Sequence, residues 1–155
     1  MKKVAVVLPV LNETENITEL LQRLKISLAD CDASVFIIDD GSTDGTLEKI
    51  EAEQKSNPQI VLLKRKKTKP GCMRGDALVF GLRKAVENFQ PDYIVELDGD
   101  LSHQPEEIKN GLLLMETGND IALGSKYLAQ SKIEGRSAPD RRAKRKSVAK
   151  PRPRP

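Results

Sequence analysis

The sequence predicts an α/β fold, a largely parallel sheet with helices on both faces. Three observations carry this expectation. Short continuous apolar runs, at Val4–Leu8, Val35–Ile38, Ile60–Leu63 and Tyr93–Leu97, read as strands buried on both faces. Segments of helical period separate them, and such alternation favours parallel strands joined by crossover helices. Acidic residues also gather where the runs end: Glu13 beyond the first, Asp39 and Asp40 at the second, Asp98 and Asp100 at the fourth. In parallel sheets, ligands sit beyond the carboxyl ends of the strands.

Each element has its own warrant. Val4–Leu8 opens the chain as a continuous apolar strand, and Asn12 or Thr14 can cap the helix that follows. Ile17, Leu20, Leu21, Leu24 and Leu28 give that helix its apolar stripe. Val35–Ile38 ends in Asp39-Asp40-Gly41-Ser42, and Asp44 begins a helix through about Gln54. Ile60–Leu63 runs into a basic stretch, Lys64 to Lys67. Ala77–Phe89 is helical, with Ala77, Phe80, Gly81 and Ala85 as its packing face. Tyr93–Leu97 is rich in strand formers and is punctuated by Gly99. A helix at Glu106–Glu116 follows Pro105, and Ile121–Leu123 is expected to be a short fifth strand.

Bulk composition narrows the class. A chain of 155 residues is large enough for one core, and with 3% aromatic residues that core must rest on aliphatic side chains. No apolar stretch approaches the roughly 18 residues of a membrane-spanning helix. The short run after Met1-Lys2-Lys3 lacks a small-residue cleavage site, so a buried strand is expected there rather than a signal peptide. Cys31 and Cys72 have no CxxC spacing, which suits two reduced thiols and a cytoplasmic location. The net charge of +3 conceals an asymmetry. Residues 136–155 hold nine Lys or Arg against Asp140 alone, or +8, which leaves −5 for the rest. Residues 1–135 therefore read as a mildly acidic domain, and 136–155 as a disordered basic Pro/Arg/Lys tail.

Two motifs carry chemistry. In Leu97-Asp98-Gly99-Asp100-Leu101-Ser102-His103, two carboxylates stand two residues apart after a strand and project to the same side. Adjacent anions repel unless a cation or proton lies between them, and a hard divalent ion takes carboxylate oxygens while leaving positions for water and phosphate. The plain alternative is a solvated acidic turn. His103, the sole histidine, reads more readily as a polar turn residue than as a metal ligand. In Ile38-Asp39-Asp40-Gly41-Ser42-Thr43-Asp44-Gly45-Thr46, carboxylates at a strand end can accept from a base or ribose, while capping of the next helix accounts for part of the pattern.

Together with Leu8-Pro9-Val10-Leu11-Asn12-Glu13 and Leu123-Gly124-Ser125-Lys126-Tyr127, these motifs resemble family 2 glycosyltransferases in order and spacing. Within that family the chain is most similar to dolichol- or polyprenyl-phosphate mannosyltransferases, and the resemblance covers roughly residues 3–137. It implies a GT-A-type fold and an inverting transfer of a hexose, mannose foremost, from a nucleotide sugar such as GDP-mannose to a polyprenyl or dolichyl phosphate. By the same resemblance Pro9, Leu11, Glu13, Ile38 and Asp40 line the nucleoside, and Asp98, Gly99 and Lys126 meet the nucleotide sugar. Asp98 and Asp100 are the implied catalytic carboxylates; with Ser102 they would hold Mg²⁺ or Mn²⁺ on the diphosphate. Arg74 or Lys69 is a further candidate for the donor phosphates. Leu11 stands where relatives often have Tyr, and Lys126 where they often have Arg, which keeps the charge without the bidentate fork.

Family members continue with acceptor-site elements beyond the point where this chain turns basic. The expectation is a donor-binding half whose C-terminal half is incomplete, inactive in transfer by itself and peripheral to the cytoplasmic membrane face. The alternative is a non-catalytic nucleotide-binding fragment with a basic tail. A haloacid dehalogenase-type phosphatase would place its Asp-x-Asp near the N-terminus with a later Ser/Thr, Lys and acidic series, which is missing. A nicotinamide-binding domain would show GxGxxG where Pro9-Val10-Leu11-Asn12-Glu13 stands. No aromatic platform for base stacking is present, so no specific nucleic-acid partner is expected.

Overall fold

A computed structural model describes residues 1–65 and 74–125. Four parallel strands, β1 (Lys3–Val10), β2 (Asp32–Asp39), β3 (Ile60–Lys64) and β4 (Tyr93–Glu96), form one sheet in the order β3-β2-β1-β4. β1 is central: Val6 stands opposite Val35 of β2 on one edge and Val95 of β4 on the other. Helices cover both faces of this strand, so Val4 through Leu8 are wholly buried. That burial is why its sequence is continuously apolar rather than alternating.

The crossover helices are α1 (Ile17–Ser27), α2 (Thr46–Ser56) and α3 (Arg74–Phe89); α4 (Ile108–Glu116) follows a 3₁₀ turn at Pro105–Glu107. Alternate residues of the strands feed two cores. Val4, Val6, Leu8, Val35 and Ile37 pack with Ile17, Leu20, Leu24 and Leu28 of the α1 segment, Ile50 of α2 and Ile108 of α4. Ala5, Val7, Phe36 and Ile38 face the other way, against Ala77 and Ala85 of α3. The expected layers, sheet direction and aliphatic core are all present.

Some expectations need correction. The structure caps α1 at Asn16 rather than Asn12 or Thr14, and the Asn16 side chain makes no capping bond. Asn12 instead adopts a left-handed conformation at φ 58°, and its side chain serves the neighbouring loop. Ile121–Leu123 forms no strand: Ile121 is 74% and Leu123 85% exposed, with no described strand alongside to complete a ladder. Met1–Leu123 make one compact unit. The expected boundary at residue 135, the basic tail, Lys126, Lys69 and Cys72 lie outside the described residues.

α3 lies close on the sheet because its contact residues are small. A Cβ built on Gly81 would sit 2.7 Å from Val7 Cγ1 and 2.9 Å from Ile38 Cγ1, closer than van der Waals contact. Gly81→Ala is therefore expected to lower stability by about 1–3 kcal/mol through overpacking, despite alanine's better helix propensity. Urea unfolding tests this; an unchanged midpoint would show that α3 is free to lift from β1.

Candidate functional site

The strand order creates the site. From β1 the chain moves outward through β2 to β3, then returns to the opposite edge of β1 at β4. Loops leaving β1, β2 and β4 therefore come together at their carboxyl ends, the position where doubly wound sheets bind ligands. An open cleft of about 330 Å³ lies there, lined by Pro9, Val10, Leu11, Glu13, Asp40, Arg74, Ala77, Asp98, Gly99 and Asp100.

Side-chain bonds knit the loops after β1 and β2 together. The Asn12 backbone N–H donates to Ser42 Oγ, and Thr43 N–H donates to Asn12 Oδ1. Glu13 N–H donates to Thr46 Oγ1 at 2.8 Å, and Thr14 N–H to Asp44 Oδ2 at 3.1 Å. Asp44 also accepts from the Thr46 hydroxyl at 2.6 Å, and this bond leads the interactions holding its carboxyl below the usual range. The Asn16 amide donates to Glu13 Oε2 at 3.0 Å, directing that carboxylate along the cleft wall. Gly99 passes close by: a Cβ there would stand 3.0 Å from Glu13 Cγ.

The two adjacent aspartates have different roles. Asp39 is buried and accepts from the backbone of Gly41 at 2.9 Å and of Ser42 at 3.2 Å, so it builds the turn after β2. Asp40 lines the cleft although it is 3% exposed, and it accepts two bonds from Arg65. Arg65 Nε lies 2.6 Å from Asp40 Oδ1, and Nη2 lies 2.8 Å from Oδ2. This bidentate clamp offsets the cost of burying a carboxylate.

Asp98 and Asp100 flank Gly99 on the opposite wall. Arg74, the first residue of α3, donates through Nε to Asp98 Oδ1 at 2.9 Å. Its Nη2 reaches both Asp98 Oδ1 and Glu96 Oε1, the latter at 2.6 Å. Bonding to Asp98 first, and Glu96 second, raises the Arg74 guanidinium above its ordinary range. Leu101 turns the chain left-handed at φ 58°, a conformation rare for a branched aliphatic residue, and its side chain is held against the core. Ser102 N–H then donates to Asp100 Oδ1 at 3.0 Å. Burial pushes the Asp100 carboxyl up, but bonds from the Ser102 hydroxyl and backbone outweigh it and leave the carboxyl lowered. His103 Nδ1 accepts from the Asp98 N–H at 3.2 Å, which makes it a turn residue.

Of the residues expected in the site, Pro9, Leu11, Glu13, Asp40, Asp98, Gly99 and Asp100 meet in one cleft, and Arg74 joins them. Ser102 reaches it through Asp100. Ile38 is fully buried in the α3-side core and does not line the cleft. Sequence reasoning missed Arg65 and Glu96; the one signal for them was charge beside a strand end. Among the described residues no three His, Cys, Asp or Glu side chains group as a preformed metal cage. Two hard carboxylates in an open cleft fit a Mg²⁺ or Mn²⁺ ion whose remaining positions go to phosphate and water.

A four-stranded parallel sheet with an acidic cleft at its switch point is the arrangement expected of a GT-A-type protein. The sequence model of Glycosyl transferase family 2 matches residues 5–154, and the chain belongs to that family. It is 34% identical over 132 residues to a dolichol-phosphate mannosyltransferase of Pyrococcus furiosus, covering 85% of this chain and 35% of that protein. It is 33% identical over 131 residues to an undecaprenyl-phosphate mannosyltransferase of Micrococcus luteus, covering 84% of this chain and 51% of that one. The chain thus spans about a third to a half of the length of these curated relatives. The fold is shared with glucosyl-3-phosphoglycerate synthase of Mycobacterium tuberculosis, crystallised with Mn²⁺, uridine diphosphate and phosphoglyceric acid. That likeness has a TM-score of 0.55 at 21% identity, over 76% of this chain and 40% of the other.

The Arg65 clamp has a measurable consequence. Arg65→Gln leaves the buried Asp40 carboxylate without its bidentate partner, and should cost about 3 kcal/mol, the low end for breaking a buried pair. The double variant Asp40→Asn with Arg65→Gln should recover about half of that loss, since neither charge of the pair remains. Denaturant melts of the four proteins measure the coupling, and strictly additive losses would refute it.

Proposed function

We propose that this chain carries the donor-binding half of an inverting glycosyltransferase that moves a hexose, mannose foremost, from a nucleotide sugar such as GDP-mannose to a polyprenyl or dolichyl phosphate. The observation that carries this reading is the meeting of Glu13, Asp40, Asp98 and Asp100 in one cleft at the switch point. The mannosyltransferase relatives support the sugar and the lipid-phosphate acceptor.

In this reading the nucleoside lies along Pro9, Leu11 and Glu13 and reaches Asp40, with Ile38 acting from beneath as packing. Asp98 and Asp100 hold Mg²⁺ or Mn²⁺ on the diphosphate, with Ser102 fixing Asp100. When bound, the ion neutralises charge gathering on the departing diphosphate. An acceptor phosphate oxygen attacks the anomeric carbon from the face opposite the diphosphate. The bond to the diphosphate oxygen breaks with its electron pair, and configuration inverts. A phosphate nucleophile is already anionic at neutral pH, so no strong general base is required. Lys126 belongs to the donor side of this scheme, and the protein works at the cytoplasmic membrane face as a peripheral partner; no helix among the described residues is long and apolar enough to cross a membrane.

Titration calorimetry with GDP and UDP tests the donor half. Nucleotide should bind only with Mg²⁺ or Mn²⁺ present, and Asp98→Ala with Asp100→Ala should abolish the heat. Metal-independent binding, or none in the parent chain, would remove the donor-site reading. Because the chain spans only part of its relatives, transfer to a polyprenyl phosphate by this polypeptide alone should be negligible. Robust product in a purified assay would overturn that expectation.

A further inference from the structure

Arg74 of α3 finds its partners outside its own helix. Its guanidinium is held across the cleft by two carboxylates, Asp98 and Glu96, the second of which has no part in the donor scheme. Glu96 and Asp98 are two residues apart at the end of β4, so both project toward the α3 side of the sheet. All three side chains keep contact with water, at 48% exposure for Arg74, 42% for Glu96 and 34% for Asp98. Such a pair is weak enough to exchange partners.

From this arrangement we propose that Arg74 is an internal counter-ion for the metal site: it neutralises Asp98 while no divalent ion is bound, and yields that carboxylate when metal and nucleotide arrive together. The inference rests on the donor-site reading and adds an order of events to it. Asp98 Oδ1 cannot serve the guanidinium and a metal equally, so metal alone must compete with Arg74. A nucleoside diphosphate changes the balance, because it brings oxygens that take both the metal and the displaced guanidinium. Glu96 is a positioning residue: it keeps Arg74 at the cleft wall, where a diphosphate is its next partner, rather than in solvent. The consequence is reciprocal coupling, in which nucleotide strengthens metal binding and metal strengthens nucleotide binding.

The test is Mn²⁺ titration of the whole chain by electron paramagnetic resonance, with and without GDP, in the parent and in Arg74→Gln. Without nucleotide, Arg74→Gln should bind Mn²⁺ about fivefold tighter, the worth of one half-exposed ion pair. With Mn²⁺ saturating, the same variant should bind GDP about fivefold more weakly, since a charged phosphate partner is gone. A merely structural role would not move the two affinities in opposite directions. Unchanged Mn²⁺ affinity in Arg74→Gln, in a protein that still binds Mn²⁺ with GDP, overturns the counter-ion and leaves the donor site standing. Failure of the parent to bind Mn²⁺ even with GDP overturns both. The parent supplies a second readout that needs no variant: the Arg74 Nε–H signal in nitrogen–proton NMR spectra should shift when Mg²⁺ and GDP are added together. A signal indifferent to the pair would show that Arg74 never leaves Asp98.

Discussion

The site depends on one constraint: β1 is paired along both edges. A central strand with β2 on one side and β4 on the other must send the chain outward in one direction, then bring it back to start in the other. The loops after β1, β2 and β4 then gather at one end of the sheet, where α3 completes the cleft. The continuous apolar run of Val4–Leu8 is the sequence cost of that placement, since neither edge nor face of the strand meets water.

Polar side chains keep that end of the sheet from being a loose opening. Asn12, Ser42, Thr46 and Asp44 tie the loop after β1 to the loop after β2, so that wall is a single hydrogen-bonded body. The opposite wall is stiffened within itself, by the left-handed Leu101, the Ser102 bond to Asp100 and the His103 bond to the Asp98 amide. Rigid walls matter because the carboxylates they carry repel one another. Arg65 on Asp40, and Arg74 on Asp98 and Glu96, hold an acidic cleft together that would otherwise favour opening.

Hydrophobic pattern made the frame readable from sequence, because a strand buried on both faces and a helix with Ile17, Leu20, Leu21, Leu24 and Leu28 on one side have few alternatives. The acidic strand ends were readable too, since Asp98 and Asp100 lie within three residues. What escaped were partnerships across the fold. Arg65 meets Asp40 and Arg74 meets Asp98 over separations of 25 and 24 residues, and nothing local marks them. Asp39 and Asp40 look equivalent in a line of text, yet the turn geometry assigns one to backbone amides and the other to the cleft. Ile121–Leu123 fails as a strand for a related reason: β-branched and apolar residues favour a strand only where a neighbouring edge is offered.

The deepest link runs from core packing to charge. Ala77, Gly81 and Ala85 let α3 settle onto Val7 and Ile38, and Gly81 sets how near it comes. Arg74 is seven residues before Gly81 on the same helix, about 10 Å along its axis. A helix held off the sheet by even one methyl group would carry the guanidinium outward with it, away from carboxylates anchored on β4. The ion pair at the cleft is therefore not an independent surface feature. Its geometry is fixed two helical turns away, by the absence of a side chain, and Ile38 contributes to the site by the surface it offers to that glycine rather than by touching a ligand.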